Sequence, residues 1–518
     1  MLSVSPAKRV KSSSKSTKIS QILPIFEVDV VREAKYKVYY TNLLTQAKNA
    51  SHIKVPIVLD CPVRLVGYRS ESPFKEIPSD KRSHHSQHSH HPMSKQHYTD
   101  SCSSSRSPPS VAGLSTDCED YGELVVLGYN GHLVNYEKGR KRSKFILTKR
   151  SAANGVKPYK KHVVKNPQNS KAVQDSALHS VSYTMSRNQA VVVEYKSDPD
   201  TDMFQIGRSG ESPIDFIVMD TVPANQRRYN GEVTQSTISR FACRILVERN
   251  PPYTSRIFAA GFDGARNIFL GEKAVKWHSG EEIDGLTTNG VFIMSPTEGF
   301  TPASKPGTWY EVSVGGGIYS ARNSRADPLK SHQMLNADNV LHDGTLIDLC
   351  GVTLLWRSAS GLHASPNEQE FNKLVEEINA CRPQCPVGLT TLVLPSKSHA
   401  TPGLDKQPFV YIKCGHVHGR HTWGQKDDDD KRTCPLCLKE SPFIKLEVGS
   451  ELSFYVDAGS PTYCFSPCGH MASENTVKYW AKVLIPHASN EFHAICPFCA
   501  IPLDNPGYVK LIFQDQEL

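Results

Sequence analysis

No stretch of this sequence sustains the roughly 18 apolar residues that a membrane-spanning helix needs. Its start, MLSVSPAKRVKSSSKSTK, has no apolar core of the kind that marks a secretory signal. The expectation is a protein neither secreted nor embedded, with no membrane partner. The opening also lacks acids, a feature shared with mitochondrial presequences, but it is poor in Arg and shows no clear amphipathicity, so it reads as a basic tail. Apolar residues are scarce overall, 38% of 518 positions, which leaves part of the length without enough side chain to build a core. Acids are missing entirely from Lys138 to Lys171, a segment that contains KGRKRSK and KPYKKH. With a net charge of +8 this raises nucleic-acid binding or nuclear entry. The aromatics that would stack on bases are not interleaved with these lysines, so nucleic acid is not the expected partner and a solvated basic surface is the reading.

The apolar shortage is concentrated at one end. Ser83 to His91 reads SHHSQHSHH and Ser101 to Ser110 reads SCSSSRSPPS, tracts that cannot bury enough surface to offset their ordering entropy. Residues 1–120 are therefore expected to be a largely disordered Ser/His/Pro-rich tail. From Tyr121 the texture changes to short β-branched and aromatic runs (ELVVLGYNG, AVVVEY, DFIVMD, RILVER, RIFAAGF, VFIM, YEVSV, VTLLW), separated by Gly, Pro, Asn and Asp. Helix-period runs are rare there, so residues 121–360 predict a β-sandwich. NEQEFNKLVEEINA then places Phe371, Leu374 and Ile378 at helical spacing behind Pro366-Asn367, which predicts a helical connector over 361–384. A Cys-rich segment, 385–518, completes the chain.

Within the sandwich, Gly207-Arg208, STISR from Ser236 to Arg240, and TTNG from Thr287 to Gly290 each border a strand. A guanidinium offers forked, charge-assisted bonds to phosphate oxygens, a Ser hydroxyl adds a donor, and an Asn side chain can clamp a ligand's main chain. Each cluster alone is an ordinary turn signal; their order and spacing resemble a forkhead-associated (FHA) domain. That resemblance implies phosphothreonine recognition, with Arg208 pairing with the phosphate, Ser239 donating to it, Arg240 and Ser236 shaping the loop, and Thr288 and Asn289 holding the peptide. Phe241 stands where the family usually has His. Tyr121 to Ser180, with GYNG, KRSKFILTKR and ANGVKP, resembles the wing that Pellino proteins append to this domain, and TDMFQIGRSGESPIDF extends the likeness to the Pellino family over about Tyr121 to Leu518.

The chain carries 14 Cys, seven of them between Cys414 and Cys499. In a reducing compartment such clusters with nearby His read as metal ligands. Cys414-Gly-His416 with Cys434-Pro-Leu-Cys437 is echoed by Cys468-Gly-His470 with Cys496-Pro-Phe-Cys499, eight ligands for two tetrahedral Zn2+ ions. Two wirings satisfy this grammar. In a RING cross-brace, Cys414 and His416 share an ion with Cys468 and His470; in a tandem arrangement each half closes its own site. Ser473 stands where the usual RING has a further Cys, and His418, His421 and Cys464 are spare donors. Asp427 to Asp430, DDDD, reads as a solvated loop.

The fold expected is thus mainly β: an FHA sandwich with a wing, then a small zinc-binding RING-like α+β domain. The Pellino resemblance implies a RING-type E3 ubiquitin ligase that binds a ubiquitin-charged conjugating enzyme and holds its thioester near attack geometry, which demands no nucleophile. Val417, Trp480 and Pro497 are the docking candidates beside the ligands. The implied partners are phosphorylated IRAK/Pelle-type kinases in Toll-like and interleukin receptor signalling, in the cytoplasm with a nuclear fraction allowed. Two rival readings are a phosphorylation-dependent scaffold without ligase activity and a zinc-dependent nucleic-acid binder. Transthiolation through Cys464 is a further alternative, weakened because His470 is committed to metal.

Overall fold

The computed structural model describes residues 119–131, 143–221, 235–279, 282–322, 324–325, 327–396, 403, 405–425, 431–486 and 492–514. The Ser/His/Pro-rich tail through residue 118 and the DDDD run lie outside the described residues.

The β-branched runs form strands because their side chains alternate between two environments. In Ser255–Ala259, Ser255, Ile257 and Ala259 are buried while Arg256 and Phe258 are only partly so, the period of a strand with one face on a core. The runs sort into a seven-stranded sheet and a four-stranded sheet. The larger has Leu346–Asp348, Thr353–Ser358, Asp120–Val126 and Lys144–Thr148 as successive neighbours; the smaller centres on Thr201–Gly207 and Cys243–Glu248. Leu124, Ile245, Val247, Ile257, Leu354 and Trp356 fill one core between them.

The wing is a separate four-stranded sheet of Gly155–Val164, Gln189–Asp198, His179–Ser186 and Asn267–Leu270. Its last strand comes from the sandwich segment and pairs in parallel with His179–Ser186, so the wing is stitched to the sandwich. The His179 ring meets Phe262 edge-on at 4.7 Å. Burial, helped by the charges of Arg266 and Arg244, pushes this His down to about 4 from an ordinary 6.5. The folded state therefore keeps it neutral while the unfolded chain takes up a proton, so its contribution is full above pH 6.5 and declines as pH falls toward 4. His179→Phe is expected to flatten that part of the stability-versus-pH curve, measured by thermal melts across the window.

The predicted helix spans Glu368–Ala380 and opens with a capping box: Asn367 accepts from the Glu370 N–H at 2.8 Å, and the Glu370 carboxylate accepts from the Asn367 N–H at 3.1 Å. Its deepest positions are Phe371 and Val375, with Leu374 and Ile378 on the flank of the stripe. Phe371 packs edge-on against Tyr455 at 5.1 Å. The helix is thus docked on the C-terminal half and does more than connect.

The two halves share one apolar cluster, in which Val125, Leu127, Phe292 and Leu355 join Phe454, Trp480 and Phe498. Polar pins fix the register. Gly128 donates its N–H to the Pro497 carbonyl at 2.7 Å, and Trp309 Nε1 donates to the Leu484 carbonyl at 2.8 Å. Arg357, 1% exposed, pairs with Asp343 at 3.0 Å and donates across the junction to the Ser453 carbonyl at 2.7 Å. A buried guanidinium so fully bonded is compensated; removing it strands its partners. Arg357→Ala is expected to lower stability by about 3 kcal/mol, measured by denaturant unfolding.

Candidate functional site: loop tips and two Cys/His quartets

At one end of the sandwich the structure brings the predicted phosphate-reading residues together. The Arg208 N–H donates to the Ser239 carbonyl at 3.2 Å, the Ser209 N–H to the Arg240 carbonyl at 3.1 Å, and Arg208 Nε to the Ile238 carbonyl at 2.7 Å. Ser236 Oγ caps the same loop by accepting from the Ile238 N–H at 3.3 Å. Arg208, Arg240 and Thr288 are exposed, and Ser239 is half-buried. Among the described residues no carboxylate pairs with either arginine. Asn289 has its Nδ2 bonded to the Thr237 carbonyl at 2.7 Å and to Ser239 Oγ at 3.1 Å. It ties one loop to the next and so positions the Ser239 hydroxyl.

Two arginines that sequence reasoning passed over hold the Thr287–Gly290 loop from beneath. Arg325 donates to the Asn289 and Gly290 carbonyls at 3.0 and 3.1 Å and pairs with Asp348. Arg322 donates to the Thr287 carbonyl at 2.9 Å and makes a forked pair with Glu311 at 2.6 and 2.8 Å. Burial pushes the Glu311 carboxyl upward and Arg322 opposes the shift. The signal available in sequence was a lone acid inside an apolar strand, Glu311 in YEVSV and Asp348 in LIDLC, which asks for a buried cation.

In the Cys-rich half, Cys414, His416, Cys434 and Cys437 converge in one place, and Cys468, His470, Cys496 and Cys499 in another; within each group the donor atoms all lie within 4.8 Å of one another. This is the tandem wiring. His416 Nδ1 stands 3.6 Å from Cys434 Sγ, and His470 Nδ1 stands 3.5 Å from Cys468 Sγ. Nitrogen and sulfur bound to one tetrahedral zinc at about 2.1 and 2.3 Å are separated by about 3.6 Å, so the donor sets fit that ion.

The quartets are built twice on one plan. A strand, Phe409–Tyr411 or Tyr463–Phe465, enters a Cys-Gly-His turn; after the Cys-Pro-x-Cys knuckle a second strand, Glu440–Lys445 or Tyr508–Lys510, returns antiparallel to the first. Each returning segment then crosses to the other half, Glu447 pairing in parallel with His470 and Ile512 with His416. Gly415 and Gly469 both adopt φ +81°, and a Cβ there would meet the carbonyl oxygens of Lys510 and Lys445. The turn glycines therefore admit the strand that interlocks the halves.

These interlocked quartets and the sandwich coincide with two family models, "Pellino, FHA domain" over residues 114–374 and "Pellino, RING domain" over residues 378–517. The chain belongs to the Pellino family. Protein pellino of Drosophila melanogaster is 59% identical over 397 residues, 76% of this chain and 93% of that protein. The human protein named E3 ubiquitin-protein ligase pellino homolog 2 is 55% identical over 398 residues, 76% of this chain and 95% of that protein. The mouse protein named E3 ubiquitin-protein ligase pellino homolog 3 is 51% identical over 399 residues, 76% of this chain and 89% of that protein. The family is one of E3 ubiquitin ligases with FHA and RING domains, which implies a ubiquitin-conjugating enzyme as partner.

Several expectations for this Pellino chain need correction. Val417 and Trp480, 1% and 0% exposed, are core residues, and Trp480 Nε1 donates inward to the Phe454 carbonyl at 2.8 Å. Pro497 is buried with its carbonyl bonded to Gly128, so the sandwich covers the second knuckle. None of the three presents a docking face. Among the described residues, the apolar side chains left open beside the metal sites include Trp423, Leu436 and Leu438 around the first knuckle, 44%, 52% and 71% exposed, and Ile512, which pairs with His416. Ser473 is not a lost ligand: it caps the helix Glu474–Trp480, accepting from the Thr476 N–H at 3.2 Å. Cys464 is fully buried, and burial pushes its thiol upward, which removes it as a nucleophile. His418, also fully buried, lies with Nε2 4.0 Å from Cys434 Sγ and packs on Tyr411. His421 likewise packs against Phe443, and neither is in a quartet.

Proposed function

We propose that this chain reads phosphothreonine at the FHA loop tips and, with the RING half, promotes transfer of ubiquitin to the phosphorylated protein it holds. The observation that carries the reading is the convergence of Arg208, Ser239 and Arg240 at one exposed tip, on a body that also contains two closed Cys/His quartets. Zinc is the metal we assign to both, held by Cys414, His416, Cys434 and Cys437 and by Cys468, His470, Cys496 and Cys499. Its part is structural, fixing the knuckles. The charged conjugating enzyme docks on the open first-knuckle face of Trp423, Leu436 and Leu438, and the ligase acts by restraining the thioester.

Family resemblance supports phosphorylated IRAK/Pelle-type kinases as the partners, polyubiquitin as the product, Toll-like and interleukin receptor innate immune signalling as the context, and the cytoplasm as the site. The test is discharge of a ubiquitin-charged conjugating enzyme by the full chain. Acceleration over background that is lost in Leu436→Ala, with zinc content unchanged, supports the assignment. Background discharge by the wild-type chain leaves only a phosphorylation-dependent scaffold.

A further inference from the structure

Beside the phosphate-reading loops lies a cleft of about 220 Å³ whose walls come from both halves of the molecule, room for about seven waters. The sandwich contributes Thr221, Thr237 and Val352; the RING half contributes Ile485, Ile495 and Pro502. The cleft is continuous with the recognition loops. Thr237 lies two residues from Ser239, and its carbonyl is held by Asn289. Asp348, also in the wall, pairs with the Arg325 that carries the Asn289 and Gly290 carbonyls. An extended peptide advances about 3.3 Å per residue, so a ligand anchored at Arg208 and Ser239 has the reach to enter the cleft within a few residues. Aliphatic side chains, Leu127, Val352, Ile485 and Ile495, share the lining with Asp220, Asp348 and His493. Thr221 Oγ1, behind this wall, is buried and without a hydrogen-bond partner among the described residues.

We propose that the RING half completes the phosphopeptide-reading site, taking into this cleft an aliphatic side chain that flanks the phosphothreonine. The proposal rests on the phosphothreonine reading above and adds that substrate selection is shared between the two domains. An acidic flanking side chain would lose its hydration against Ile485 and Ile495 and face the carboxylates of Asp220 and Asp348, and is selected against.

The experiment uses the full chain and fluorescence-labelled phosphothreonine peptides with glycine at every flanking position but one, where isoleucine is scanned along the peptide. One position is expected to tighten binding about tenfold relative to the all-glycine phosphopeptide. Pro502→Glu, at an exposed position of the cleft rim, is expected to erase that gain while the all-glycine phosphopeptide binds as before. A gain undiminished in Pro502→Glu, or isoleucine without effect at every position, overturns the shared site and leaves phosphothreonine reading intact. Failure of the wild-type chain to distinguish phosphorylated from unphosphorylated peptides overturns the underlying reading itself, and the shared site with it.

Discussion

Replacing Cys414 and Cys434 together by serine is expected to leave one zinc bound per chain, whereas replacing Cys434 and Cys496 together is expected to leave none. The two double variants remove the same number of thiolates, so only the wiring separates them. In the structure Cys414 and Cys434 belong to one quartet and Cys434 and Cys496 to different ones; a cross-brace would reverse the ranking. Losing one of four ligands opens a closed structural site, and such sites carry on the order of 10 kcal/mol or more of folding free energy. Ligase activity should therefore vanish in both variants. The sandwich has its own core of Leu124, Ile245, Leu354 and Trp356 and should still melt cooperatively. Metal analysis after gel filtration gives the stoichiometry, and the opposite order of zinc content would refute the tandem assignment.

What the sequence disclosed and what it withheld follow from the range of the forces involved. The doubled Cys-Gly-His and Cys-Pro-x-Cys grammar is local chemistry, and a knuckle needs its residue types at fixed spacing, so the ligands were legible one by one. The wiring was not, because it depends on Glu447 crossing to His470 and Ile512 crossing to His416, pairings that leave no spacing signal. The sandwich was legible from alternation, as in Ser255–Ala259.

The docking face was misread for a related reason. Pro497 and Pro435 occupy equivalent places in their knuckles, yet one is buried with its carbonyl bonded to Gly128 of the sandwich and the other is half-buried beside the exposed Leu436. Composition near a metal site cannot report which surface another domain covers. Ser473 shows the same limit from the other side: it stands where the usual RING pattern has a Cys, and in the fold it is a helix cap.

Arg208→Ala is expected to abolish measurable binding of phosphothreonine peptides, a loss of at least about a hundredfold, with zinc content and discharge of the conjugating enzyme unchanged. Its Nε is bonded to the Ile238 carbonyl, which sets the guanidinium at the loop tip. Charge-assisted hydrogen bonds contribute about 1.5 to 3 kcal/mol each, and two of them correspond to a hundredfold or more in affinity. Arg208→Lys keeps the charge but loses the fork, so it should recover only part of the binding. Asn289→Ala separates positioning from contact: its Nδ2 holds Thr237 and Ser239, so its removal should weaken binding by loosening the loop, with a rise in local amide exchange over residues 236–240 that Arg208→Ala does not produce. Calorimetry with a phosphorylated peptide and its unphosphorylated twin measures both variants. Unchanged affinity in Arg208→Ala would move the phosphate away from this loop tip altogether.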